Sequence, residues 1–401
     1  MSKALSSWRR AGAWCVFGLL ALILVLFIWR HGRPGVAPTQ PSQRPAKTPL
    51  APAVARNARP AVPVPLPSPD TEGNIQVCGI GRVRVGPDSD ALNAYANELI
   101  ADADARWRAS LLSSDDYRAR AAGLYLQGLR QPADSGTRFS DDTRRDLIAL
   151  AVATHDPAVY AIALQSCLRF PEDTSSGSCP QVSADGWSRI DPHNAVPWLL
   201  AAADARARGD AVAEATAFEH AAEATENVSY GSSLYSVAQA SLPDGITPLQ
   251  RLLLAERMIG YEAAWAETHY RYLTQHCSAE AVDDRKVRNE CSAVADVLAA
   301  HGITLLDLGE ARIIGSRVGW SSDRLKRMGD EQDGLMQELM LQEQPSWGCQ
   351  EIKRSSELIA EEVRIGERAA AMESLEVSGS TVEERAAQYR DAQRTRWSQG
   401  K

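Results

Sequence analysis

The residues best suited to chemistry are two histidines, a scatter of carboxylates and six cysteines beyond residue 77. His269 and His276 stand seven apart on one predicted helix, so they share a face. Two turns put roughly 10.5 Å between their backbones, which makes one metal ion hard for them to share. Glu262 and Glu267 add carboxylates without the His-Glu-x-x-His spacing of a metalloprotease, and a solvated helical face is the expectation. There is no Gly-x-Ser-x-Gly elbow and no phosphate-binding loop, and Gly79-Ile80-Gly81 lacks the third glycine and the strand–helix setting of a dinucleotide loop. No catalytic set, cofactor, metal or small-molecule substrate is identified.

The cysteines group by position. Cys167 and Cys179 enclose a loop-like run, Cys277 and Cys291 flank a polar stretch between two helical patterns, and Cys78 and Cys349 remain at the two ends of the folded region. Each close pair could staple a turn and the distant pair could join the ends, although six cysteines allow fifteen connectivities and reduced buried thiols stay open. No Cys-x-x-Cys occurs, so a zinc ribbon is not expected. Paired cysteines imply an oxidising compartment for this region.

The elements that must position these residues begin with lipid. Residues 11–29 form nineteen uncharged positions bracketed by Arg9, Arg10 and Arg30, with Trp8, Trp14 and Trp29 near the edges. That is the length of a bilayer-spanning helix; it exceeds the apolar core of a cleavable signal peptide and has no nearby small-residue cleavage site. Cys15 lies inside this run and reads as a small apolar residue. A short tail, residues 1–10, precedes the helix, and a disordered proline-rich linker, 30–74, follows it. Eleven of the 36 residues from Pro34 to Pro69 are proline, which favours an extended spacer. Basic residues flank both sides of the span, so charge does not set its orientation.

Residues 1–69 carry nine Lys and Arg and no acid, whereas the remainder carries 34 basic and 51 acidic side chains, a net of about −17. An acidic body is a poor partner for polyphosphate, so no nucleic-acid role is expected. Arginine outnumbers lysine 37 to 6, a bias associated with GC-rich bacterial genes. Together these features place the chain, as an expectation, in a bacterial inner membrane as a single-pass protein with a periplasmic carboxyl-terminal domain.

Residues 75–87, around "IQVCGIGRVRVG", read as one short extended segment. From 88 to 398 nearly every stretch has helical period. The pattern predicts helices at 88–112, 115–131, 141–154, 157–168, 195–208, 210–225, 230–241, 248–276, 284–300, 304–316, 321–342, 350–375 and 381–397. In the last but one, Ile352, Ile359 and Val363 form the inner stripe.

Within this body Asp191 to Glu223 resembles a tetratricopeptide repeat. Asp191-Pro192-His193-Asn194 matches the Asp-Pro-x-Asn that closes a preceding repeat; Trp198 falls at the first-helix aromatic, Gly209-Asp210 at the turn, and Phe218 and Ala221 at second-helix packing positions of a 34-residue unit. Ala201, Ala202 and Ala205 stand where the family has a leucine, a glycine and a tyrosine, and Glu214 replaces a small residue. One repeat onward Glu226 replaces the closing proline; one repeat back Pro180 interrupts the second helix. The resemblance implies an all-α fold of helical hairpins stacked as a superhelical array, with Trp198 and Phe218 in the core.

Glu373-Ser374 is similar to the Glu-Ser pair of wall-cleaving transglycosylases, but the glycine- and glutamine-rich motifs those enzymes carry downstream are missing. The reading that follows is a membrane-anchored periplasmic scaffold that binds other cell-envelope proteins and touches the bilayer through residues 11–29. The competing class is an envelope hydrolase whose site is assembled from distant residues.

Overall fold

The computed structural model describes residues 74–84, 89–129, 139–168, 178–263, 267–342 and 348–399. The expected membrane span at 11–29, the tail before it and the linker up to residue 73 lie outside these residues. Among the described residues, no helix is long and apolar enough to cross a membrane.

The segment expected to be a single extended piece is a hairpin. Strands β1 (Asn74–Val77) and β2 (Gly81–Arg84) pair antiparallel, with Ile75 opposite Val83 and Val77 opposite Gly81. Two glycines explain the reversal: Gly79 and Gly81 take φ of +76° and +100°, which side-chain-bearing residues resist. Val77 is fully buried and Val83 packs against the same core, so the hairpin is docked on the helices.

Everything else in the described residues is helical. Helices α1 (Ser89–Leu112), α2 (Tyr117–Gly128), α3 (Asp141–Thr154) and α4 (Pro157–Leu168) pack in succession. On α1 the buried residues Ile100, Ala103, Trp107 and Leu111 follow helical spacing. Helix α4 is buried on every side from Ala158 to Cys167, as expected of the apolar run from Ala158 to Leu164, and Ser166 Oγ within it donates to the Ala163 carbonyl. Next come α5 (Ala184–Ile190), α6 (Ala195–Ala207) and α7 (Ala211–Ala222). Sequence periodicity misses α5 because seven residues make less than two turns. It is nonetheless anchored by a Ser183 cap on the Gly186 amide and by the fully buried Trp187.

Helices α8 (Gly231–Ala240), α9 (Pro248–Ala263) and α10 (Glu267–His276) follow, then α11 (Arg285–His301), α12 (Leu305–Val318) and α13 (Ser322–Gln342). The last three are α14 (Cys349–Ile365), α15 (Glu367–Ser378) and α16 (Val382–Gln399). A single helix over 350–375 was expected; Gly366 divides it. This residue has φ +91°, and a Cβ there would stand 2.9 Å from the Ile303 Cβ, while the Arg368 amide donates to the Ile303 carbonyl at 3.0 Å. A tertiary contact thus breaks a sequence that is locally helical.

One apolar core runs from Val77 to Ile359, and a smaller one joins Leu305, Leu335, Leu339, Ala371 and Leu375. In the latter, Arg385 and Glu338 pair at 2.8 Å with 8% and 1% of their side chains exposed. The packing is not confined to sequence neighbours. Helix α9 meets α1, where Gln250 Nε2 donates to the Leu99 carbonyl at 2.9 Å, and it also meets α14. A strictly linear array would contact its neighbours alone; this one folds back on itself.

Candidate functional site

Helices α6 and α7 form the hairpin on which the repeat resemblance rests. Asn194 caps α6 by accepting from the Val196 amide, Asp210 caps α7 by accepting from the Ala213 amide, and Gly209 turns the chain at φ +73°. Phe218 and Ala221 are fully buried, as expected of packing positions, and Ala201, Ala202 and Ala205 let the helices approach closely. Pro192 is exposed just ahead of the cap. Trp198 departs from its expected core place. It is half-buried, stacks on His220 with ring centroids 4.3 Å apart, and donates from Nε1 to the Pro192 carbonyl at 2.9 Å. Close packing through alanine leaves the indole at the rim.

The start of this hairpin is tied to the segment that follows α7. Asn194 Nδ2 donates to the Val228 carbonyl at 2.7 Å and to Asp191 at 2.8 Å, while the Val228 amide donates back to Asn194 Oδ1 at 3.0 Å. Val228 lies 34 residues downstream of Asn194. Asn227 in the same segment reaches 80 residues downstream, its Nδ2 donating to Asp307 Oδ1 at 2.7 Å, and short parallel bridges pair Asn194 with Glu226 and Asn227 with Gly302. Asp307 also closes a capping box with Thr304 and accepts from the Tyr270 hydroxyl. Burial raises the Asp307 pKa, and its four hydrogen-bond donors hold it back in part.

Helix α10 packs against α6 and places His276 over the hairpin. The His276 ring lies 4.2 Å from the Phe218 ring, with Nδ1 3.2 Å from Glu214 Oε1 and 3.3 Å from the Tyr272 hydroxyl, which donates to the same Glu214 oxygen at 3.0 Å. Arg206 reaches toward that oxygen at 3.9 Å and sits over the Tyr272 ring. Burial lowers the His276 pKa, and the Glu214 hydrogen bond pulls it partly back. Burial and the Glu214 charge both raise that of Tyr272.

These groups border an open depression of about 500 Å³ lined by Arg206, Glu214, Gln275, His276, Glu280 and Val287, among others. This is the candidate site. It holds one carboxylate bound to a phenol, an imidazole and, more loosely, a guanidinium, a set that can receive polar and charged side chains.

The expectation that His269 and His276 share a solvated face is overturned. His269 is 3% exposed, its Nε2 has no hydrogen-bond partner, and burial lowers its pKa to about 4. His276 is largely enclosed by Glu214, Tyr272 and Phe218. The physical reason is that α10 is covered by α6 and α12, so both imidazoles face packed neighbours. Among the described residues, no group of three or more His, Cys, Asp or Glu is arranged to hold a metal ion.

The six cysteines come together as Cys78 with Cys349, Cys167 with Cys179 and Cys277 with Cys291, all at disulfide distance, with Cα separations of 4.8, 5.9 and 5.8 Å. The last pair directly follows His276 and fixes the loop that forms one wall of the depression. Glu373 is exposed on α15, and the Ser374 hydroxyl donates to Glu338 at 2.8 Å, so this dipeptide does not form a cleft. Sequence reading passed over Arg206, Tyr272, Asn227 and Asp307. The one available signal was Glu214, a charge where the repeat family keeps a small residue.

Set against protein-family models, curated proteins and solved structures, the chain matches none of them.

Proposed function

We propose that the chain is a single-pass, membrane-anchored scaffold of a bacterial envelope, with a tetratricopeptide-like helical body in the periplasm that binds other envelope proteins. The observation that carries this reading is the 34-residue lacing of Asn194 to Val228 across the α6–α7 hairpin. It ties the start of α6 to the segment after α7 at the length of one repeat, and this hairpin borders an open depression. Three cysteine pairs at disulfide distance support an oxidising compartment. The uncharged run at 11–29 supports anchoring, which would raise the local concentration of the body near its partners.

An enzyme reading is less well supported. Asp307 and Glu310, whose pKa values burial raises, sit within the helix packing and do not line the depression. General acid chemistry would want such a group at an open site.

The test is photo-crosslinking in intact membranes, with the reactive residue placed at Gln275 or Glu280, which line the depression and are exposed, and at Val377 as an exposed control outside it. Discrete adducts at the first two positions and none at Val377 are expected. Adducts no more frequent at the depression than at Val377 would refute the scaffold surface.

A further inference from the structure

The three cysteine pairs differ in what surrounds them. Cys277 and Cys291 are fully buried, and Cys167 is 6% exposed. Cys349 is exposed at the start of α14, and Cys78 is half-buried in the hairpin turn. This third pair also joins the most distant segments, 271 residues apart, and it ties the hairpin to α14. A two-stranded hairpin has little stability of its own. It also meets the body by apolar contact through Val77 and Val83.

From this contrast in exposure and attachment we propose that Cys78–Cys349 is a thiol–disulfide exchange site for a dithiol reductant, and that its reduction releases the β1–β2 hairpin from the body. A reductant thiolate attacks the sulfur of Cys349, the exposed residue of the pair, the sulfur–sulfur bond breaks, and Cys78 leaves as a thiolate that takes a proton from water. The reductant's second thiol then displaces Cys349 from the mixed disulfide. Two electrons pass to the protein and the dithiol becomes a disulfide. The body stays folded because Cys277–Cys291 lies out of reach and Val77 is the one buried member of the main core that the hairpin supplies.

Release lengthens the path into the body. With 74–84 docked, the chain is fixed at the hairpin; with these eleven residues free it is next fixed at Ser89. Fully extended, they add on the order of 35 Å of reach. That consequence rests on the proposed membrane tether, whereas exchange and release do not.

The test uses the full chain in detergent, titrated with dithiothreitol at neutral pH. Freed thiols are trapped with an alkylating agent and located by mass spectrometry, and amide hydrogen exchange is read on the same samples. Cys78 and Cys349 are expected to be trapped at least about tenfold faster than Cys277 and Cys291, with protection lost in 74–84 and kept in α11 and α12. Equal trapping of all three pairs overturns the exchange site. Persistent hairpin protection after both cysteines are alkylated overturns the release. The paired variant Cys78→Ala with Cys349→Ala is expected to match the reduced protein without reductant; protection like that of the oxidised protein overturns the release as well. If that variant does not fold, the titration of the natural chain decides alone. Failure of the crosslinking at Gln275 and Glu280 would end the scaffold reading and leave these outcomes unchanged.

Discussion

Replacing His269 with glutamine should change how stability depends on pH. The imidazole is 3% exposed and its Nε2 is unpartnered, so the folded protein resists its protonation until about pH 4, against 6.5 for a free histidine. The folded pKa is depressed for a base, so the unfolded chain takes up the proton first. Stability is therefore complete above 6.5 and falls as the pH drops toward 4. At 1.36 kcal/mol per pKa unit the full loss is about 3.4 kcal/mol, of which roughly 2 kcal/mol accrues between pH 7 and pH 5. Glutamine lacks this titration, so the natural chain should lose about 2 kcal/mol more than His269→Gln over that interval. The assay is urea unfolding of the full chain in detergent at both pH values. With a denaturant slope of about 3 kcal/mol/M, the excess corresponds to a shift of roughly 0.7 M in midpoint. Asp307 and Glu310 act in the opposite sense: their raised folded pKa values add stability as pH falls, and they cancel in the comparison. Parallel pH profiles for the two proteins would refute the argument that His269 is buried without compensation.

Asn194→Ala removes a helix cap and both links to the 226–228 segment, and should cost roughly 3 kcal/mol in a denaturant titration. Phe218→Ala should cost about 3–5 kcal/mol and expose the His276 ring, readable as faster modification by diethyl pyrocarbonate. Gly366→Ala forces a side chain into a backbone conformation nearly exclusive to glycine and against Ile303, and should cost about 1–3 kcal/mol or more by thermal unfolding. Cys277→Ser with Cys291→Ser frees a loop of 14 residues and should lower stability by about 3 kcal/mol in the chain-entropy account, measured against the oxidised chain.

Helix spacing made most of the body legible. The boundaries of α3 and α4 coincide with those expected, whereas the face of α1 does not follow the stripe of Leu92, Tyr95, Leu99 and Ala103 that its spacing suggests: Tyr95 and Leu99 are half-buried and the inward residues are Ile100, Ala103, Trp107 and Leu111. What stayed hidden depends on partners distant in sequence. Gly366 breaks a good helix because Ile303 occupies its flank, and α5 exists because Trp187 has a core to enter. The hairpin at 74–84 needed both of its strands in view, and alternation alone exposes one. At the candidate site, spacing correctly put His269 and His276 on one helix. It could not tell solvent from the packed side of a hairpin, because burial of α10 is decided by α6 and α12. Asn194 was read as a repeat terminator, and its bond to Val228 gives that residue type a physical purpose.

The contact of α9 with both α1 and α14 constrains how such a chain can change over generations. Repeat proteins ordinarily gain or lose whole units, since an open stack simply becomes longer or shorter. Here the insertion or deletion of one hairpin between residues 112 and 349 would draw α1 or α14 off α9 and leave its apolar face wet. Divergence of this chain should therefore run through surface substitution at a constant number of helices.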